Sequence, residues 1–107
     1  MNNMNLEKAR EILGNFLKRQ RISFIITKYS SGEWVAECNE IPAVMTGGMS
    51  DDITKIDAMI REAVLTAANI DAKYSNDLLK FVGIESQGFL GSLFNLNTDK
   101  KADYVLT

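Results

Sequence analysis

Near the N-terminus, Leu6, Ala9, Leu13, Phe16 and Leu17 recur three or four positions apart, which places them on one stripe of a helix predicted over residues 5–20. Asn5 suits the N-cap, and Lys18, Arg19 and Arg21 stand where cations favour a helix C-terminus. From Ile22 the spacing changes to two. Residues 22–29 are rich in β-branched and aromatic types, with Ile22, Phe24 and Ile26 on one face. Ser30-Ser31-Gly32 supplies a turn, and residues 33–38 alternate again, with Trp34, Ala36 and Cys38 toward a core and Glu33, Val35 and Glu37 on a largely wet side. A hairpin follows from this pattern. Residues 41–46 predict a short third strand with the sole proline, Pro42, at its start, and Gly47-Gly48 is expected to break it. Ser50-Asp51-Asp52 then offers an N-cap to a helix over residues 51–70, whose stripe is Ile53, Ile56, Ile60, Ala63, Val64 and Ala67, with Lys55, Asp57, Arg61 and Glu62 largely off it. After a polar break at 71–77, residues 78–84 read as a fourth strand. The remainder, 85–107, carries an apolar patch of Phe89, Leu90, Leu93 and Phe94, for which burial in the core or in a self-association interface is expected, and has no firm assignment.

Composition narrows the function without naming it. At 107 residues and 46% apolar, the chain is one domain's worth, with no repeat or linker to divide it. There is no histidine, so the usual general base and the commonest zinc ligand are missing. The single cysteine, Cys38, has no disulfide partner and reads as a small buried hydrophobe. The N-terminal residues lack the apolar run of a secretory signal, and the longest charge-free stretch, 86–98, is too short and polar to span a bilayer. A cytoplasmic protein without cofactor or metal is expected.

The net charge of −2 conceals a division. Residues 7–28 hold six basic against two acidic side chains, whereas residues 29–77 hold nine acidic against three basic. The acidic region disfavours nucleic acid and can steer toward a basic partner. The basic positions Lys8, Arg10, Lys18, Arg19 and Arg21 read as a solvated helix surface. Carboxylate catalysis has weak support: Glu33 and Glu37 share a strand and Asp51, Asp52 and Asp57 share a helix start, whereas a two-metal centre draws acids from separate elements onto one cavity. Gly47-Gly48 lacks the glycine pattern and lysine of a phosphate loop and reads as a turn.

Laid out in order, residues 22–84 resemble the HicB family, the antitoxin half of a bacterial type II toxin-antitoxin pair. The resemblance is carried by Ser31-Gly32-Glu33-Trp34-Val35-Ala36-Glu37-Cys38, the link Glu40-Ile41-Pro42, the step Thr46-Gly47-Gly48-Met49-Ser50 and the helix segment Ile60-Arg61-Glu62-Ala63-Val64. Asn39 stands where proline is common in the family and Ala43 where glycine is common. The helix over 5–20 is an addition, and residues 85–107 show no two-helix DNA-binding pattern.

The resemblance implies an α+β fold, a small antiparallel β-β-β-α-β sheet described as a partial RNase H fold. Its implied partner is a HicA-type toxin, a small basic ribonuclease with a catalytic histidine, which the antitoxin inhibits by masking it. The expectation is therefore a non-catalytic binding protein, with Glu33, Glu37, Glu40, Asp51 and Asp52 as contact residues, no direct nucleic-acid binding and room for a homo-oligomer. Two alternatives stand beside it: a stand-alone regulatory or inhibitory module acting on another protein, of phage or mobile-element type, and a metal-dependent hydrolase using the acids.

Overall fold

A computed structural model describes residues 5–50, 52–86 and 100–107, with 84–86 described in backbone only. The first helix, α1, spans Leu6–Leu17. Asn5 caps it as expected, its Oδ1 accepting from the Lys8 N–H at 2.8 Å. It ends short of residue 20 because Lys18 turns left-handed, φ 57°, and donates its N–H to the Gly14 carbonyl. Lys18 is thus the cap itself, Arg19 donates through Nε to the Leu17 carbonyl at 3.2 Å, and Arg21 already belongs to the first strand.

Strands β1 (Arg21–Lys28) and β2 (Glu33–Cys38) form the expected hairpin, with Phe24 opposite Cys38 and Ile26 opposite Ala36 on the core side. The third strand is displaced from the expected 41–46. Ile41 to Val44 make a turn closed by the Val44 N–H on the Ile41 carbonyl at 2.9 Å, and Pro42 occupies the turn position that its fixed φ prefers. Strand β3 is Met45–Met49 and contains both glycines that were expected to end it. A Cβ on Gly47 would stand 2.7 Å from the Trp34 carbonyl oxygen, so glycine is what lets β3 lie against β2.

Helix α2 spans Ile53–Ala67, shorter than the expected 51–70. Asp52 is its N-cap, Oδ1 accepting from the Thr54 N–H at 2.9 Å. At its far end Asn69 is left-handed, φ 63°, and the Ile70 N–H reaches back to the Leu65 carbonyl at 2.8 Å, a Schellman closure. The buried stripe is Ile56, Ile60, Val64 and Leu65, whereas Ile53 and Ala67, expected to be buried, are exposed. The expected polar break is ordered as a 3-10 turn, Ala72–Tyr74, and a short helix α3, Ser75–Leu78.

Strand β4 runs Leu79–Ser86 and β5 runs Lys100–Leu106, giving a five-stranded antiparallel sheet in the order β3-β2-β1-β5-β4. The four-stranded β-β-β-α-β expectation is therefore corrected by one strand. The fourth strand does not pair with β1, because the C-terminal strand enters between them, with Ile22 opposite Tyr104 on one side and Phe81 opposite Tyr104 on the other. The coarser expectation of a mixed α+β domain with a small antiparallel sheet holds.

Both long helices pack on one face of this sheet. Leu13, Phe24, Trp34, Ile56, Ile60, Leu79 and Tyr104 belong to one buried cluster, and Leu106 approaches α1 at Gly14. No described helix or strand covers the opposite face, on which Ser23 is buried and bonded to Glu40 of the turn after β2. No helix among the described residues is long and apolar enough to cross a membrane. The patch at Phe89, Leu90, Leu93 and Phe94 lies outside the described residues.

Candidate protein-binding surface

Period-two alternation assigns the open face. Ile25, Thr27, Val35, Glu33 and Glu37 point away from the helices, because their neighbours Phe24, Ile26, Trp34, Ala36 and Cys38 are buried beneath them. Register then places Met45 beside Glu37 and Met49 beside Glu33. The two methionines are 56% and 68% exposed, so the β2–β3 end of this face is an acidic row bordered by two flexible thioethers.

Between Ile25, Thr27 and Pro42 the open face sinks into a recess of about 340 Å³ that also includes Glu37 and Asn39. Walls that mix apolar Ile25 and Pro42 with polar Thr27 and Asn39, and a carboxylate among them, suit a lysine or arginine, whose aliphatic stem packs on Ile25 and Pro42 while its head meets Glu37. No member of this recess except Glu37 was among the expected contact residues. It joins β1, β2 and the turn after β2, and strand spacing alone does not indicate where that turn folds.

The five expected residues have different roles in the structure. Glu33 and Glu37 are exposed on the open face. Glu40 is half-buried and engaged, accepting from the Ser23 N–H at 2.8 Å and from Ser23 Oγ at 2.9 Å, so its charge braces β1. Asp52 is exposed but committed to the start of α2, and Asp51 lies outside the described residues. Glu33 and Glu37 are four residues apart on one strand, roughly 13 Å, too far to share a metal ion. No group of three potential metal ligands is found among the described residues.

Two groups, Cys38 and Tyr104, are held in their neutral forms. Burial pushes the Cys38 thiol above its ordinary value. Tyr104 is shifted upward far more strongly, first by burial and then because its hydroxyl donates to Asp57 Oδ1 at 2.6 Å. Asp57 also accepts from Arg61 Nε at 3.0 Å, and Arg61 donates through Nη1 to the Leu79 carbonyl while stacking 5.5 Å from the Tyr104 ring centre. Asp57 and Arg61, expected largely off the packed stripe, instead clamp α2 to β4 and β5. An apolar cleft of about 200 Å³ beside Ile53, Phe81 and Tyr104 is bordered by this clamp, whose polar atoms already satisfy one another. On the open face, Arg21 pairs with the nearly buried Asp103. In comparisons with known proteins the chain matches no family model, no curated protein and no solved structure.

Proposed function

We propose that this chain is a non-catalytic, HicB-like binding protein that neutralises a small basic ribonuclease of the HicA type by masking it. The observation that carries the reading is the recess on the open sheet face, where Glu37 stands with Ile25 and Pro42 beside the exposed Glu33, Met45 and Met49. A surface evolved to hold RNA phosphate presents arginine and lysine, and such side chains fit this recess stem and head together. The residue pattern over 22–84 supports the same reading. A chain with no histidine, a buried cysteine and a phenol held neutral offers inhibition a better basis than catalysis.

The experiment is titration of the chain into a HicA-type ribonuclease encoded beside it, reading both binding and RNA cleavage. A stoichiometric complex that stops cleavage is expected, and Glu37→Lys should weaken it at least tenfold, about 1.4 kcal/mol. Absence of an adjacent toxin frame, together with no complex with candidate toxins, would sink the proposal. Tight binding to a basic protein without loss of ribonuclease activity would favour the stand-alone regulatory module. Metal-dependent cleavage by the chain alone, abolished by Glu33→Gln or Asp52→Asn, would show an enzyme.

A further inference from the structure

The two edges of the sheet are built differently. At β4 the edge is interrupted by a bulge between Phe81 and Gly83 and carries the exposed Lys80, the charge and irregularity by which sheets resist pairing with a neighbour. At β3 the sequence is Met-Thr-Gly-Gly-Met, uncharged, without proline, and in unbroken register with β2 over five residue pairs. Its free side can be assigned. The Val44 carbonyl accepts from the Cys38 N–H at 2.9 Å and the Ser50 N–H donates to the Gly32 carbonyl at 3.2 Å. These bonds direct residues 44 and 50 toward β2, and the alternation between them turns the N–H and C=O groups of Met45, Gly47 and Met49 to the open edge.

Alongside that edge runs a groove of about 370 Å³ between β3 and α2, with Ala63, Thr66, Ala67 and Met59 along its helical wall. Small side chains there leave α2 free to approach a second helix closely. Among the described residues Glu62 is the groove's only charged wall residue, too little acid to single out a basic peptide. A second copy fits better because β3 complements itself. Antiparallel pairing centred on Gly47 sets Met45 of each copy opposite Met49 of the other, with no like charges facing one another between the paired strands.

We propose that β3 pairs with β3 of a second copy of this chain, merging two five-stranded sheets into one and bringing the two α2 helices side by side over the seam. The acidic rows at Glu33 and Glu37 then flank the seam on both sides of one continuous open face. This inference stands apart from the identity of any toxin, since it concerns only the chain's association with itself.

Sedimentation equilibrium of the full chain across the micromolar range should give the mass of a dimer. Met45→Lys combined with Met49→Lys places like charges opposite one another at two exposed positions, and should weaken association at least tenfold, whereas Val82→Lys on the opposite edge should leave it unchanged. The signal of the buried Trp34 in near-ultraviolet circular dichroism checks that the variants fold. Independently of any variant, the amides of Met45, Gly47 and Met49 should be protected from hydrogen exchange at dimer concentrations. A monomer throughout, a dimer indifferent to the paired lysines, dissociation by Val82→Lys, or fast exchange of those three amides in the dimer would each overturn the proposal.

Discussion

Tyr104 connects three elements through one side chain: its ring packs on Phe24 of β1 and Phe81 of β4, and its hydroxyl donates to Asp57 of α2 at 2.6 Å. Removing only the oxygen separates these roles. Tyr104→Phe keeps the ring contacts and loses a hydrogen bond to a carboxylate, which should lower stability at neutral pH by about 1.5–3 kcal/mol in urea titration. The same variant has a pH signature. A phenol whose pKa is higher folded than unfolded binds its proton more tightly in the native state. Its contribution is therefore whole below about pH 10, the unfolded value, and is lost as pH rises above it. The wild-type chain should lose stability on that alkaline side, and Tyr104→Phe should remove this part of the slope. A second residue-scale contrast lies within β3. A Cβ on Gly47 meets a backbone oxygen at 2.7 Å, whereas one on Gly48 meets Trp34 Nε1 at an ordinary 3.5 Å. Gly47→Ala should cost about 1–3 kcal/mol by overpacking, and Gly48→Ala should change the midpoint of thermal unfolding much less.

At the scale of elements, what was legible followed from strict periodicity. Leu6, Ala9, Leu13 and Leu17 locate α1, and the alternation through Trp34, Ala36 and Cys38 identifies the core side of β2. Boundaries were less legible because single residues decide them: Lys18 and Asn69 adopt left-handed backbone conformations that their neighbours do not announce. β3 was misplaced because two glycines normally argue against a strand, and here the close Trp34 carbonyl demands one of them. The acidic row was visible in the sequence, since Glu33 and Glu37 fall on the face opposite the buried positions. The engagement of Glu40 with Ser23 was not, because it joins positions seventeen residues apart. Asp52 distinguishes a structural acid from a contact acid. Asp52→Ala removes the cap of α2 and should cost about 1 kcal/mol of stability. It should leave affinity for a basic partner nearly unchanged, measured by calorimetry beside Glu37→Lys.

For the whole molecule, the strand whose position was least evident from sequence joins the two halves of the sheet. Ala102 and Tyr104 alternate toward the core, yet residues 100–106 open with two lysines and include Asp103, whose pairing with Arg21 becomes apparent only once the strand lies beside β1. β5 pairs on both sides, and the chain end is secured further by the Arg10 Nε donating to the Thr107 carbonyl at 2.7 Å and by the Thr107 N–H on the Leu78 carbonyl at 2.9 Å. A chain ending at Ser86 would keep every element through β4 but expose the β1 ladder and the core positions that Ala102 and Tyr104 fill. Burying a large side chain such as Tyr104 is worth about 3–5 kcal/mol by comparison with aromatic-to-alanine substitutions, a large share of the 5–15 kcal/mol that holds a typical domain. The truncated chain should therefore show no cooperative transition in urea and no dispersed amide spectrum. Adding a synthetic peptide of residues 100–107 in excess should restore cooperativity if β5 acts by filling its place in the sheet. A truncated chain that unfolds cooperatively without the peptide would show that the elements through β4 close a sheet without β5.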